Sequence, residues 1–156
     1  MEGFILRKAT IHDVKEIYSL LLQFGREGKL LPRSYSELYS HIRDFFVVVS
    51  SADSHLIGCG ALSIVWRDLA EIRSVAVEKG SQGKGWGRRI IEACLSESLT
   101  LGIYRVFVLT YEKEFFERMG FYEVDKKVLN EKIWVDCFHC PKYPDECDEI
   151  AMLIEL

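Results

Sequence analysis

Between a β-branched run and an amphipathic one stand four glycines, at positions 80, 83, 85 and 87. The stretch reads Val75-Ala76-Val77-Glu78-Lys79-Gly80-Ser81-Gln82-Gly83-Lys84-Gly85-Trp86-Gly87-Arg88-Arg89. Upstream, Leu69–Val77 has the composition of a strand; downstream, Ile90, Ile91, Cys94 and Leu95 recur at helical spacing until Gly102 closes the pattern. A strand therefore runs into a glycine loop and then into a helix. Glycines in such a loop let the backbone approach a ligand closely and turn its N–H groups towards it. The helix start adds a partial positive charge, and Lys84 and Arg88 add full ones, which together describe a pyrophosphate cradle. It is not a Walker loop, because no Gly-Lys-Ser/Thr ends it, and glycines at 83, 85 and 87 without one at 88 break the dinucleotide pattern G-x-G-x-x-G. The alternative is a glycine-rich turn with a solvated basic helix start.

The flanking segments set the fold class. Phe4–Ala9 reads as a strand, and Thr10-Ile11-His12-Asp13 as a capping box ahead of a helix carrying Val14, Ile17, Leu21 and Phe24, which Gly25 and Gly28 interrupt. Ser34–Asp44 reads as a second helix with Leu38 and Ile42 on one face. The period then changes: Phe45–Val49, Leu56–Val65 and Leu69–Val77 predict three strands of an antiparallel meander. After the glycine loop and its helix, Tyr104–Thr110 predicts a strand, Glu112–Met119 a short helix, and Phe121–Val124 and Ile150–Ile154 two more strands. The order β-α-α-β-β-β-α-β-α-β-β describes a mixed α/β (α+β mixed sheet) protein. Its 156 residues fit a single domain, 1–156, with a cysteine-rich insertion at 129–149 ahead of the last strand.

Composition removes several classes of function. With 49% apolar and 28% charged residues the chain belongs among folded globular proteins. A net charge of -4 and no basic arm argue against a nucleic-acid partner, whose binding draws on phosphate neutralisation. No apolar run approaches the roughly 20 residues that span a bilayer, and no secretory signal is recognised at Met1–Arg7, so the expected location is the cytoplasm, away from membranes. Five cysteines, an odd number, speak against a disulfide framework.

Gln82-Gly83-Lys84-Gly85-Trp86-Gly87 fits the pattern Gln/Arg-x-x-Gly-x-Gly/Ala, and in this the chain resembles the GNAT acyltransferases. Val106–Thr110 and Phe115-Phe116-Glu117-Arg118-Met119-Gly120-Phe121 are similar to that family's next strand and short helix, so the resemblance covers nearly the whole element order. It implies the GNAT acyl-CoA N-acyltransferase fold with acetyl-CoA as cosubstrate. It further implies that Gln82, Gly83, Lys84, Gly85, Trp86, Gly87 and Arg88 hold the pyrophosphate, with Val75, Ala76, Val77 and Phe115 completing the cofactor contacts. Leu31-Pro32-Arg33-Ser34, Glu37-Leu38, Ile42-Arg43-Asp44-Phe45 and Ala70-Glu71-Ile72 make the chain most similar to amino-acid N-acetyltransferases of the N-acetylglutamate synthase type. On that resemblance the acceptor is a small-molecule amine, an amino acid, with L-glutamate first, in arginine biosynthesis. No room remains for the kinase domain that many such synthases carry, and a homodimer stays open as the assembly.

Roles follow from the chemistry. An α-amino group near neutral pH is largely protonated, so a base must free its lone pair before direct attack on the thioester. By resemblance Glu71 is that base; the alternative is a surface strand carboxylate facing a Lys or Arg across the sheet. The resemblance also puts a backbone N–H near Val75–Val77 at the acetyl oxygen. Glutamate brings two carboxylates, which arginine binds with paired hydrogen bonds, and Arg33 and Arg73 are the candidates. Arg73 lies two residues from Glu71 on the same strand face. Where GNAT enzymes often carry a tyrosine acid this chain has Phe116, with Tyr111 nearby, and the acid is left unassigned. Two rival readings are acetylation of another amine (polyamine, antibiotic or protein) and a CoA- or metal-binding regulatory domain without turnover. Finally, Cys137-Phe138-His139-Cys140 with Cys147 seven residues on suggests a structural Zn²⁺ held by Cys137, Cys140 and Cys147, against a buried thiol loop or a redox pair.

Overall fold

At the end of the first strand, β1 (Phe4–Lys8), one polar knot stops the strand and starts a helix. The Thr10 hydroxyl accepts the His12 N–H, while the Asp13 carboxylate accepts the Thr10 N–H at 2.7 Å, so the anticipated capping box is present. Arg7 completes it with two parallel hydrogen bonds to Asp13, at 2.8 and 3.0 Å. Burial would push the Asp13 carboxyl upward, but the bonds from Arg7 and Thr10 outweigh it and hold the group below its ordinary value. Helix α1 (Val14–Arg26) follows a 3-10 turn at Ile11–Asp13 and buries Val14, Ile17, Leu20, Leu21 and Phe24.

The computed structural model describes residues 3–26, 34–129 and 149–156. Beyond α1 it contains α2 (Tyr35–Ser40), β2 (Phe45–Ser50), β3 (Leu56–Trp66), β4 (Leu69–Val77), α3 (Trp86–Thr100), β5 (Arg105–Thr110), α4 (Lys113–Arg118), β6 (Tyr122–Val124) and β7 (Ile150–Glu155). This is the expected order of helices and strands. Most bounds fall within a residue or two of expectation, and the second helix departs most. Instead of one helix over Ser34–Asp44, Ser34 caps α2 through a box with Glu37, His41 leaves helical dihedrals at φ -112 and ψ 16, and Ile42–Asp44 forms a separate 3-10 turn. The strands form a mixed seven-stranded sheet in the order β1-β2-β3-β4-β5-β7-β6.

The chain divides into two compact units: Met1–Leu62 with Ile72–Glu97, and Ser63–Glu71 with Ser98–Leu156. In the first, β1 and β3 lie antiparallel to β2. Val47 and Val49 join α1 and α2 in one apolar cluster, and Val48 joins Trp86 and Ile90 of α3 in another. Because successive strand residues face opposite ways, α1 and α2 cover one face and α3 the other. Gly58 and Gly60 let α3 settle against β3: a Cβ on Gly60 would stand 2.4 Å from Ile90 Cγ2.

In the second unit β7 lies between β5 and β6, antiparallel to both, and Ala70 and Glu71 pair in parallel with Val106 and Phe107 of β5. Leu69, Phe107, Leu129, Ala151 and Leu153 form its core. On α4, the buried Phe116 ring meets Phe115 and Phe121 edge-on, each at 5.2 Å.

Candidate active site

Strand β4 carries the chemistry the sequence points to. Glu71 and Arg73 are half-buried and flank Ile72, which is 1% exposed, as alternation along a strand requires. The next residue breaks the alternation. Ser74 has φ +56, a left-handed conformation uncommon outside glycine, and Arg73, Ser74 and Val75 are all half-buried in succession. The Cys59 thiol of β3 donates to the Ser74 carbonyl at 3.4 Å. Such a kink re-aims the backbone after it, here that of Val75, Ala76 and Val77.

The glycine loop follows directly. The Glu78 N–H donates to Ile57 O at 2.8 Å, and Glu78 accepts two bonds from Ser81, one from its N–H and one from its hydroxyl. The Gln82 amide donates to Val77 O at 2.8 Å, so this side chain braces the loop. Gly83 and Gly85 have φ +77 and +87, and a Cβ on Gly83 would meet nothing within 4 Å. Glycine is demanded there by conformation. Gly80 has neither a left-handed φ nor a close neighbour.

The first backbone bond of α3 runs from the Arg89 N–H to Gly85 O, at 3.1 Å. Gly85 therefore occupies the cap position without a side chain to fill it. The N–H groups of Trp86, Gly87 and Arg88 have no acceptor within the helix. Lys84 and Arg88 are exposed beside them, Arg88 with Glu92 at 3.8 Å. Free donors, two cations and open space above the backbone fit a diphosphate. One expectation changes in kind: the Trp86 side chain is 2% exposed, against Phe4 at 5.8 Å and under the Arg89 guanidinium, so its N–H group alone faces the loop.

Phe115 is half-buried on α4. Phe116 is buried, and Tyr111 is 42% exposed. Cys59 and Cys94 are buried as anticipated, and burial pushes the Cys94 thiol up to about 12. Arg33 lies outside the described residues, as do Cys137, Cys140, Cys147 and His139; among the described residues no group of three metal-type ligands occurs. Among the described residues no helix is long and apolar enough to cross a membrane. Sequence reasoning missed the Ser74 kink, which has no residue signature, and the loop contacts of Glu78, a residue anticipated only as part of the run.

The Acetyltransferase (GNAT) family profile matches residues 11–121. An uncharacterized N-acetyltransferase of Chlorobaculum tepidum is 42% identical over 95% of this chain and 94% of its own. An amino-acid acetyltransferase of Mycobacterium tuberculosis is 39% identical over 78% of this chain and 70% of its own. Among solved structures, N-acetylglutamate synthase from Neisseria gonorrhoeae, complexed with coenzyme A and N-acetyl-glutamate, superposes with TM-score 0.88 at 26% identity, covering 100% of this chain and 36% of that one. The chain thus spans about a third of the gonococcal synthase. It belongs to the GNAT acetyltransferase family and is an acetyl-CoA-dependent N-acetyltransferase.

Proposed function

We propose that the protein transfers the acetyl group of acetyl-CoA to the α-amino group of an amino acid, L-glutamate first, as one catalytic domain in the cytoplasm serving arginine biosynthesis. The observation that carries this reading is a single strand, β4, bearing Glu71 and Arg73 and leading through the Ser74 kink into the open start of α3. Acetyl-CoA supplies the activated thioester; the chain supplies everything else. Glu71 takes the proton from the acceptor ammonium, directly or through water, so that the amine attacks with its lone pair free. Backbone N–H groups of Val75–Val77 face the charge that gathers on the acetyl oxygen. Gln82 braces the loop, while Gly83, Lys84, Gly85, Gly87, Arg88 and the Trp86 N–H hold the diphosphate, and Phe115 packs beside the cofactor. Arg73 and Arg33 bind the acceptor carboxylates. No protein acid is assigned, because the released CoA thiol is acidic enough to leave as thiolate. Names of relatives support the amino-acid acceptor: amino-acid acetyltransferase in Mycobacterium tuberculosis and N-acetylglutamate synthase in Neisseria gonorrhoeae. A structural Zn²⁺ on Cys137, Cys140 and Cys147 is a separate proposal, tested by metal analysis of the purified protein; under a tenth of an equivalent with all three thiols reactive ends it.

The test is CoA release across glutamate, glutamine, aspartate, arginine, lysine and spermidine. A saturable rate with glutamate well above the rest is expected; glutamate at the no-acceptor blank discards that substrate. Glu71→Gln should lower kcat by about 10²-fold or more with acetyl-CoA binding retained. An undiminished kcat removes Glu71 from the base role. Arg73→Ala should raise KM for glutamate far more than KM for acetyl-CoA.

A further inference from the structure

A polar cluster ties the glycine loop to two other parts of the first unit. His55 lies on the turn between β2 and β3, beside Ser54 at φ +61, with its side chain 53% exposed. Its Nε2 stands 2.9 Å from Glu78 Oε2 and its Nδ1 3.7 Å from Glu16 Oε2 on α1. Its backbone N–H donates to Asp53 Oδ1 at 3.0 Å. Carboxylates thus face His55 from α1, from its own turn and from the head of the loop. Both acids are tied down in turn. Glu16 accepts the Leu56 N–H at 2.9 Å, and the second Glu78 oxygen accepts the Ser81 hydroxyl at 3.2 Å. Ser81 is buried and its N–H returns to Glu78 O at 2.9 Å, closing the turn that delivers Gln82 and Gly83.

We propose that His55 is a positioning residue for the phosphate loop: its protonated ring, held between Glu16 and Glu78, fixes Glu78 and through it Ser81, and so makes CoA affinity depend on pH. The inference rests on the reading of this loop as the CoA diphosphate site. The imidazolium is hydrogen-bonded to Glu78 and ion-paired with Glu16; deprotonation removes its positive charge and leaves the two carboxylates less well screened from each other. The hydrogen bond to Glu78 is the largest influence and raises the His55 pKa above its ordinary 6.5; burial opposes it, and the charges of Glu78, Glu16 and Asp53 add to it. The protonated clamp is therefore complete below that ordinary value and is lost as pH rises through the raised one. This dependence belongs to cofactor binding and leaves kcat unaltered.

Titration calorimetry of CoA into wild type and His55→Gln, at about pH 6 and about pH 9, tests the proposal with kcat measured alongside. Gln keeps a neutral donor and removes the charge. The ratio of the variant Kd to the wild-type Kd should be about two to five at the lower pH, the range that exposed ion pairs give, and should fall to about one at the higher pH, with kcat unaltered. Comparing the two proteins at each pH cancels the ionisation of CoA itself. Glu78→Gln should remove the same dependence. A ratio of one at both pH values, or one that does not change with pH, overturns the role of His55. Gly85→Val separates the two readings. If it leaves the Kd of CoA unchanged, the loop is not the diphosphate site; if it weakens CoA while His55→Gln tracks wild type, the His55 proposal alone fails.

Discussion

The starts of α1 and α3 answer the same physical problem in opposite ways. Every helix begins with backbone N–H groups that have no acceptor inside it. Ahead of α1, Thr10 and Asp13 fill the need with side-chain oxygens, Arg7 locks Asp13 in place, and the result is closed. At α2, Ser34 and Glu37 do the same. At α3 the cap position is Gly85, which has no side chain, preceded by a left-handed Gly83 with empty space above it and accompanied by exposed Lys84 and Arg88. The start completed by protein groups serves the fold, whereas the incomplete one is the proposed diphosphate site. α3 is held instead by its flank, where Ile90 and Trp86 pack in a buried cluster with Ile57 and Val77.

Substitutions at the two starts should therefore separate stability from cofactor affinity. The largest stability effect is expected at the flank: Gly60→Ala sets a Cβ 2.4 Å from Ile90 Cγ2, and overpacking of this kind costs about 1–3 kcal/mol. Thermal unfolding reads it, and an unchanged Tm would mean that α3 does not depend on its close approach to β3. Next comes Gly85→Val, which forces a β-branched residue to φ +87. Acetyl-CoA KM should rise on the order of tenfold, in line with the roughly 1–2 kcal/mol cost of that conformation. Asp13→Ala at the closed start should behave oppositely, losing about 1 kcal/mol of stability with acetyl-CoA KM untouched. A change in KM there equal to that of Gly85→Val would dissolve the distinction.

The smallest effect concerns acid. Asp13 has its carboxyl held below the ordinary 3.8, so its contribution is complete above that value and is lost as pH falls through the lower one. The stability gap between wild type and Asp13→Asn should accordingly close in strong acid and stay constant above about pH 5. Chemical denaturation at several pH values checks the direction; a gap that widens on acidification reverses the assignment.

Much of the α3 start was legible because glycine leaves few alternatives. Gly83 and Gly85 do adopt the left-handed conformation that only a residue without Cβ enters freely, although Gly80 does not. The capping box at Thr10 was equally legible, since all its groups lie within four residues of chain. Arg7 was not, because its pairing with Asp13 depends on how β1 turns into α1. At Trp86 the sequence did not show that the helix turns the indole into the core, which leaves only its backbone N–H for the proposed ligand contact. At α2, local propensity pointed to a helix through Asp44, and the break at His41 with a following 3-10 turn replaced its last part.

What the sequence determined by itself is the order of strands and helices, the open start of α3 and the placing of Glu71 and Arg73 on one strand. These follow from periodicity, from glycine at fixed spacing and from alternation, all of which act over a few residues. What the tertiary structure decided is the left-handed Ser74 in β4, held from β3 by Cys59, and the anchoring of the glycine loop through Glu78 to Ile57, Ser81 and His55. Most of these contacts join residues far apart in sequence. They depend on strand register, which places a serine or a glutamate beside its partners without leaving a mark in local composition.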